Sequence, residues 1–148
     1  MPAMISKNSM NIVKSSAVLI TRNATEITQN MYKIMFEQYP KIEKLFANAP
    51  QDQYMKLADA ISAYAINIDK LHILKPALMV IAKTHVRTNI QKSHYPIVGD
   101  SLLQAIQITL GDAATPEFMN AWKEAYQHIA EVLIEMEEEL YKEEVESL

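Results

Sequence analysis

Cysteine is absent from the 148 residues and glycine occurs only twice. Without thiols there is no disulfide, no thiolate nucleophile and no cysteine-held zinc. Two glycines supply too few tight turns for a sandwich or a barrel. No apolar run is long enough to span a membrane, and the opening MPAMISKNS lacks the apolar core of a secretory signal, so a cytoplasmic protein is expected. A basic excess is missing too. Fourteen Lys and Arg stand against 18 Asp and Glu, a formal net charge of −4. That balance argues against a nucleic-acid partner and against a polybasic membrane surface.

What remains is an ordinary globular composition, 49% hydrophobic and 22% charged, of a length that suits one domain. Pro40, Pro50, Pro76, Pro96 and Pro116 fall between or at the starts of segments with helical spacing. Proline is tolerated in a first helical turn and disruptive later, so each reads as punctuation. Between them, Leu57, Ile61, Tyr64, Ala65 and Ile68 recur at steps of three and four. So do Leu74, Leu78, Ile81, Ala82 and His85, then Val98, Leu102, Ala105 and Ile106, then Trp122, Tyr126, Ala130, Leu133 and Leu140. Ser93 and Thr115 read as helix starts and Gly111 as a stop. The spacing predicts an all-α chain with helices near 10–22, 24–39, 40–46, 53–70, 75–88, 93–110 and 115–142. A short tail over 1–9 precedes one domain over 10–148, and 48–52 is the most loop-like internal stretch.

Few residues carry chemistry. His85 continues the apolar line Leu78–Ile81–Ala82. Two readings stand: a core histidine with one hydrogen bond, or an imidazole ligand facing an apolar slot that holds a flat cofactor. His72, His94 and His128 have no partners at metal-site spacing and read as surface or structural residues. Glu137 lies in the acidic run EMEEELYKEEVES, yet it stands seven, four and three positions from Ala130, Leu133 and Leu140, so it faces inward with them. An inward carboxylate needs a hydrogen-bonding partner. Tyr95 opens a helix, Gln53 lies one turn ahead of Leu57, and Tyr32 shares a face with Thr28, Met35 and Phe36. There is no phosphate-binding glycine loop and no C-x-x-C-H haem attachment.

The segment HVRTNIQKSHYPIVGDSLLQAI, residues 85–106, resembles the bacterial globins, both the haem domain of flavohaemoglobins and the single-domain bacterial haemoglobins. The likeness runs from about residue 10 to residue 143 and takes in TQNMYKIMFEQYPKIEKLF and AWKEAYQHIAEVLIEMEEELY. It implies a globin fold, about six to seven helices around a non-covalent b-type haem. His85 matches the iron ligand. Tyr95 and Glu137 match the pair that completes a hydrogen-bond network behind it. Tyr32 and Gln53 match the polar residues on the gas-binding side, with Phe46 against the haem face and Leu57 as the apolar neighbour. Tyr54 replaces a proline found in many relatives, which leaves both Gln53 and Tyr54 as candidates to reach the ligand. Thr84 stands where many relatives have lysine, with Lys83 one residue earlier.

The resemblance further implies reversible binding of O₂, NO and CO. It also implies conversion of NO and O₂ to nitrate, with some peroxidase activity on the side. Flavohaemoglobins carry a fused FAD and NAD(P)H domain after the globin. This chain ends at Leu148, so a separate NAD(P)H-dependent reductase is the expected partner. Oxygen storage or delivery without turnover is the alternative, and a non-haem helical sensor a third reading. A monomer and a homodimer are both compatible with the sequence.

Overall fold

The computed structural model describes residues 5–47, 49 and 52–146, and among these it is all helix and turn. Seven α-helices follow in order: α1 (Lys7–Ser15), α2 (Ala17–Gln38), α3 (Pro40–Glu43), α4 (Gln53–Ile66), α5 (Lys75–Arg87), α6 (Tyr95–Leu110) and α7 (Pro116–Glu146). Short 3₁₀ turns at Lys44–Phe46, Leu71–Leu74, Lys92–His94 and Gly111–Ala113 join them.

The punctuation acts as expected where it can be seen. Pro40, Pro76, Pro96 and Pro116 all sit in first turns, where a missing N–H costs no helical bond. Pro50 and most of the expected loop at 48–52 lie outside the described residues. Gly111 ends α6 at φ +54, a conformation that side chains with a Cβ resist. Thr115 accepts the Phe118 N–H at 3.2 Å and starts α7. Ser93 is not the cap expected of it. The backbone N–H of Gln91 instead donates to His94 Nδ1 at 2.9 Å, and the His94 N–H returns to the Gln91 carbonyl.

The first helix differs more. It begins at Lys7, capped by the Ser6 side chain, inside the stretch expected to be tail; residues 1–4 lie outside the description. The break between the first two helices comes at Ser16, not near residue 23. No glycine or proline marks it. Ser16 Oγ donates to the Val13 carbonyl at 2.7 Å and accepts the Trp122 indole N–H at 3.2 Å. The bend is thus held from a helix more than a hundred residues away.

α2 packs along both α4 and α6, while α1 and α5 pack on α7. Ile20, Ile27, Met31, Met35, Ile68 and Ile106 are fully buried in the main apolar cluster. Each such side chain stabilises the fold by about 1.5–3 kcal/mol relative to exposure. A second, smaller cluster joins α5 to α7 through Leu78, Ala82, Ala130 and Leu133, with Tyr95 from α6. This second cluster positions the site.

Candidate functional site

The two stripes of the smaller cluster both end in polar residues. On α5, Leu78 and Ala82 are followed one turn later by His85; on α7, Ala130 and Leu133 are followed one turn later by Glu137. Because the apolar stripes pack together, the polar residues that extend them meet. His85 Nδ1 lies 3.0 Å from Glu137 Oε2 and 3.1 Å from the Tyr95 hydroxyl. The Tyr95 hydroxyl donates to the same Glu137 oxygen at 2.7 Å.

Proton counting then assigns the imidazole. A phenol has one proton, and Tyr95 gives it to Glu137, a carboxylate that only accepts. The Nδ1 contacts therefore require Nδ1 to carry the ring hydrogen. In the neutral ring the lone pair is then on Nε2, which has no hydrogen-bond partner among the described residues. Glu137 is nearly buried, its side chain 5% exposed, whereas His85 keeps 30% of its side chain exposed. A half-open imidazole, oriented by a buried carboxylate and offering an unpaired Nε2, has the chemistry of an axial metal ligand.

Several tyrosines hold this group in place. The Tyr126 hydroxyl donates to the Tyr95 carbonyl at 2.7 Å, and the Tyr141 hydroxyl to the Ile90 carbonyl at 2.8 Å. Asn89, at φ +63, lets the chain turn after α5, and the Ile90 N–H returns to the His85 carbonyl at 2.8 Å. Burial, reinforced by the hydrogen bond and charge of Glu137, pushes the Tyr95 phenol far above its ordinary range. Burial and the Glu137 charge do the same to Tyr126. Both remain protonated donors across the physiological range.

A second feature is a cleft of about 340 Å³ between α2, the 3₁₀ turn after α3 and the start of α4. Its size is that of a small-molecule site. Gln29, Tyr32, Phe36, Phe46, Gln53 and Tyr54 line it. Tyr32, Phe36 and Phe46 form a ring triangle with centroids 5.4–5.7 Å apart. Burial raises the Tyr32 phenol to about 12, although the neighbouring Gln53 side chain pulls it back. Tyr32 is thus a permanent donor on a mostly apolar, aromatic wall.

Of the residues singled out in the sequence, the structure brings His85, Tyr95 and Glu137 into one hydrogen-bonded group, and Tyr32, Gln53 and Phe46 into one cleft. Leu57, one turn along α4 from Gln53, is half-buried against the main core. His72 is exposed, His94 caps the turn before α6, and His128 Nδ1 is buried without a hydrogen bond. Among the described residues no three His, Asp or Glu side chains cluster to hold a metal. No described helix is long and apolar enough to cross a membrane. Tyr54 does line the cleft, as does Gln29, which sequence reasoning passed over; its place three residues before Tyr32 on one helix was the available signal. The sequence marked Tyr126 only by its helical spacing and did not single out Tyr141.

An all-helical fold carrying one imidazole oriented by a buried carboxylate suits a helical protein that binds a cofactor through that ring. Comparison with known proteins names the family. The globin family model matches residues 29–133. A globin-like protein of Aquifex aeolicus is 44% identical over 138 residues, which cover 93% of this chain and 98% of that protein. A flavohemoprotein of Rhodopirellula baltica is 43% identical over 95% of this chain, but the match is only 35% of its length. A bacterial globin from Campylobacter jejuni superposes with a TM-score of 0.86 at 34% identity, covering 93% of this chain and 99% of that one. The engineered carbene transferase RmaNOD from Rhodothermus marinus gives 0.90 at 34% identity, covering 94% of this chain and 97% of that one. The chain belongs to the globin family. Its cofactor is haem, whose iron the oriented imidazole of His85 suits as a ligand.

Proposed function

We propose that this chain holds a non-covalent b-type haem through His85 and consumes NO and O₂, releasing nitrate. The haem supplies a coordination place for O₂, NO or CO when bound. The observation that carries the reading is the oxygen of Glu137 shared by Nδ1 of His85 and the hydroxyl of Tyr95. A carboxylate on Nδ1–H makes Nε2 a stronger electron donor, which favours reaction of a ligand over its storage. On the other side, Tyr32 donates to a partly charged ligand oxygen, with Gln53 orienting the phenol. Such a bond contributes about 1.5–3 kcal/mol, ten- to a hundredfold in affinity. The aromatic rings of Phe36 and Phe46 pack against that donor.

Nitrate formation from NO and O₂ takes up one electron, so a donor is required. The flavohemoprotein relatives are nearly three times as long as the matched region, and their names join a flavin to a haem. By that analogy a separate NAD(P)H-dependent reductase serves this chain. The test is NO consumption by haem-loaded protein with O₂, NADH and a flavin reductase, with nitrate counted. One nitrate per NO over many turnovers supports the proposal. Tight O₂ binding with no acceleration of NO loss would instead mark an oxygen-storage protein. A purified, haem-supplemented protein without a Soret band would sink both. Tyr32→Phe is expected to raise the O₂ dissociation rate about tenfold or more.

A further inference from the structure

The cleft side of the site contains one cross-helix bond that the proposed chemistry has not used. Thr28 is fully buried in α2, and its hydroxyl donates to the Tyr54 carbonyl in the first turn of α4 at 2.8 Å. The Thr25 carbonyl of its own helix is the more distant acceptor, at 3.1 Å. Three other helix hydroxyls in this fold stay local. Those of Ser62, Thr84 and Ser101 each satisfy themselves on the carbonyl four residues back in the same helix. Thr28 instead reaches a residue 26 positions away.

We propose that Thr28 is a positioning residue for the gas-binding side: its hydroxyl pins the first turn of α4 to α2 and so sets Gln53 and Tyr54 against Tyr32. The proposal rests on the haem reading above. The pin joins positions next to the residues that line the cleft. Thr28 stands one turn before Tyr32 on the same face of α2. Tyr54 carries the carbonyl and adjoins Gln53, and both side chains line the cleft. Apolar contacts between α2 and α4 are non-directional and resist sliding weakly. A hydrogen bond fixes separation and angle within a narrow range. Tyr54 keeps the Ala58 N–H of its own helix as a second donor, so loss of the Thr28 hydroxyl leaves no orphaned carbonyl. The effect of its removal falls on placement rather than on folding.

The test compares Thr28→Val, which keeps the shape, with Thr28→Ser, which keeps the hydroxyl. Amide hydrogen exchange at Met55, Lys56 and Leu57 is followed in the isolated protein, whatever its haem content. The C–O stretching band of the CO-saturated protein and the O₂ dissociation rate are measured after haem loading. Thr28→Val is expected to speed exchange in that turn, broaden the band and raise the O₂ dissociation rate about three- to tenfold. Thr28→Ser is expected to restore all three. If Thr28→Val leaves the band and the rate at parental values while Tyr32→Phe alters them, the pin is overturned and the haem reading stands. Faster exchange with an unchanged band also overturns it, because the role is then only structural. If the parent takes up no haem, both readings fall together.

Discussion

Gly99 of α6 lies directly beneath the ring of Tyr126 of α7: a Cβ added at Gly99 would come within 2.5 Å of a Tyr126 ring carbon. The same ring carries the hydroxyl that bonds the Tyr95 carbonyl at 2.7 Å. Helix propensity favours alanine over glycine by about 1 kcal/mol in a helix interior. The clash outweighs it, because a rigid ring must move. Gly99→Ala is expected to destabilise the protein by about 1–2 kcal/mol net, read as a lowered denaturant midpoint. An unchanged or raised midpoint would mean that the ring shifts freely and does not hold Tyr95.

Glu137→Gln keeps the shape of the shared acceptor but removes its charge. The imidazole of His85 then becomes a weaker donor through Nε2. The iron–histidine stretching frequency of the reduced, ligand-free haem protein is expected to fall. Resonance Raman spectroscopy checks this, and a frequency equal to the parent's would detach Glu137 from the iron side of His85.

Alkaline pH is expected to weaken the fold in a defined window. Burial raises the folded-state Tyr32 phenol from its ordinary 10.0 to about 12. Below pH 10 the phenol is neutral whether the chain is folded or not, and its stabilising contribution is complete. Between pH 10 and 12 the unfolded chain ionises first, so stability is lost as pH rises, by up to about 2–3 kcal/mol. Tyr64, Tyr95 and Tyr126 are shifted in the same direction, chiefly by burial. Denaturant unfolding at pH 9 and pH 11.5 should show a clear drop for the parent and a smaller one for Tyr32→Phe. Equal drops would show that Tyr32 is not shielded.

Asn89 adopts φ +63 at the turn after α5, the left-handed region that asparagine and glycine tolerate. Its conformation allows the Ile90 N–H to reach the His85 carbonyl. Asn89→Gly is expected to be neutral within about 0.5 kcal/mol, whereas Asn89→Val should cost about 1–2 kcal/mol. Thermal or denaturant unfolding separates them, and equal stabilities would show that the turn relaxes to another conformation.

Helix count and most helix ends were legible because their signals are local. Pro40, Pro76, Pro96, Pro116, Gly111 and Thr115 act within one turn of themselves. The bend at Ser16 was not legible, since its partner Trp122 lies on another helix. The start of α4 at Gln53 was legible, but its anchoring was not, for the acceptor of the Thr28 hydroxyl cannot be read from a face of α2 alone.

Periodicity alone established that His85 and Glu137 point inward, because a helix places every third or fourth residue on one side whatever surrounds it. Their meeting was a tertiary matter. Fifty-two positions separate them, and only the packing of the Leu78–Ala82 stripe on the Ala130–Leu133 stripe brings both to one hydroxyl of Tyr95. Which imidazole nitrogen carries the proton depends on that contact in turn, since hydrogen bonds act over about 3 Å and the chain becomes that compact only when folded.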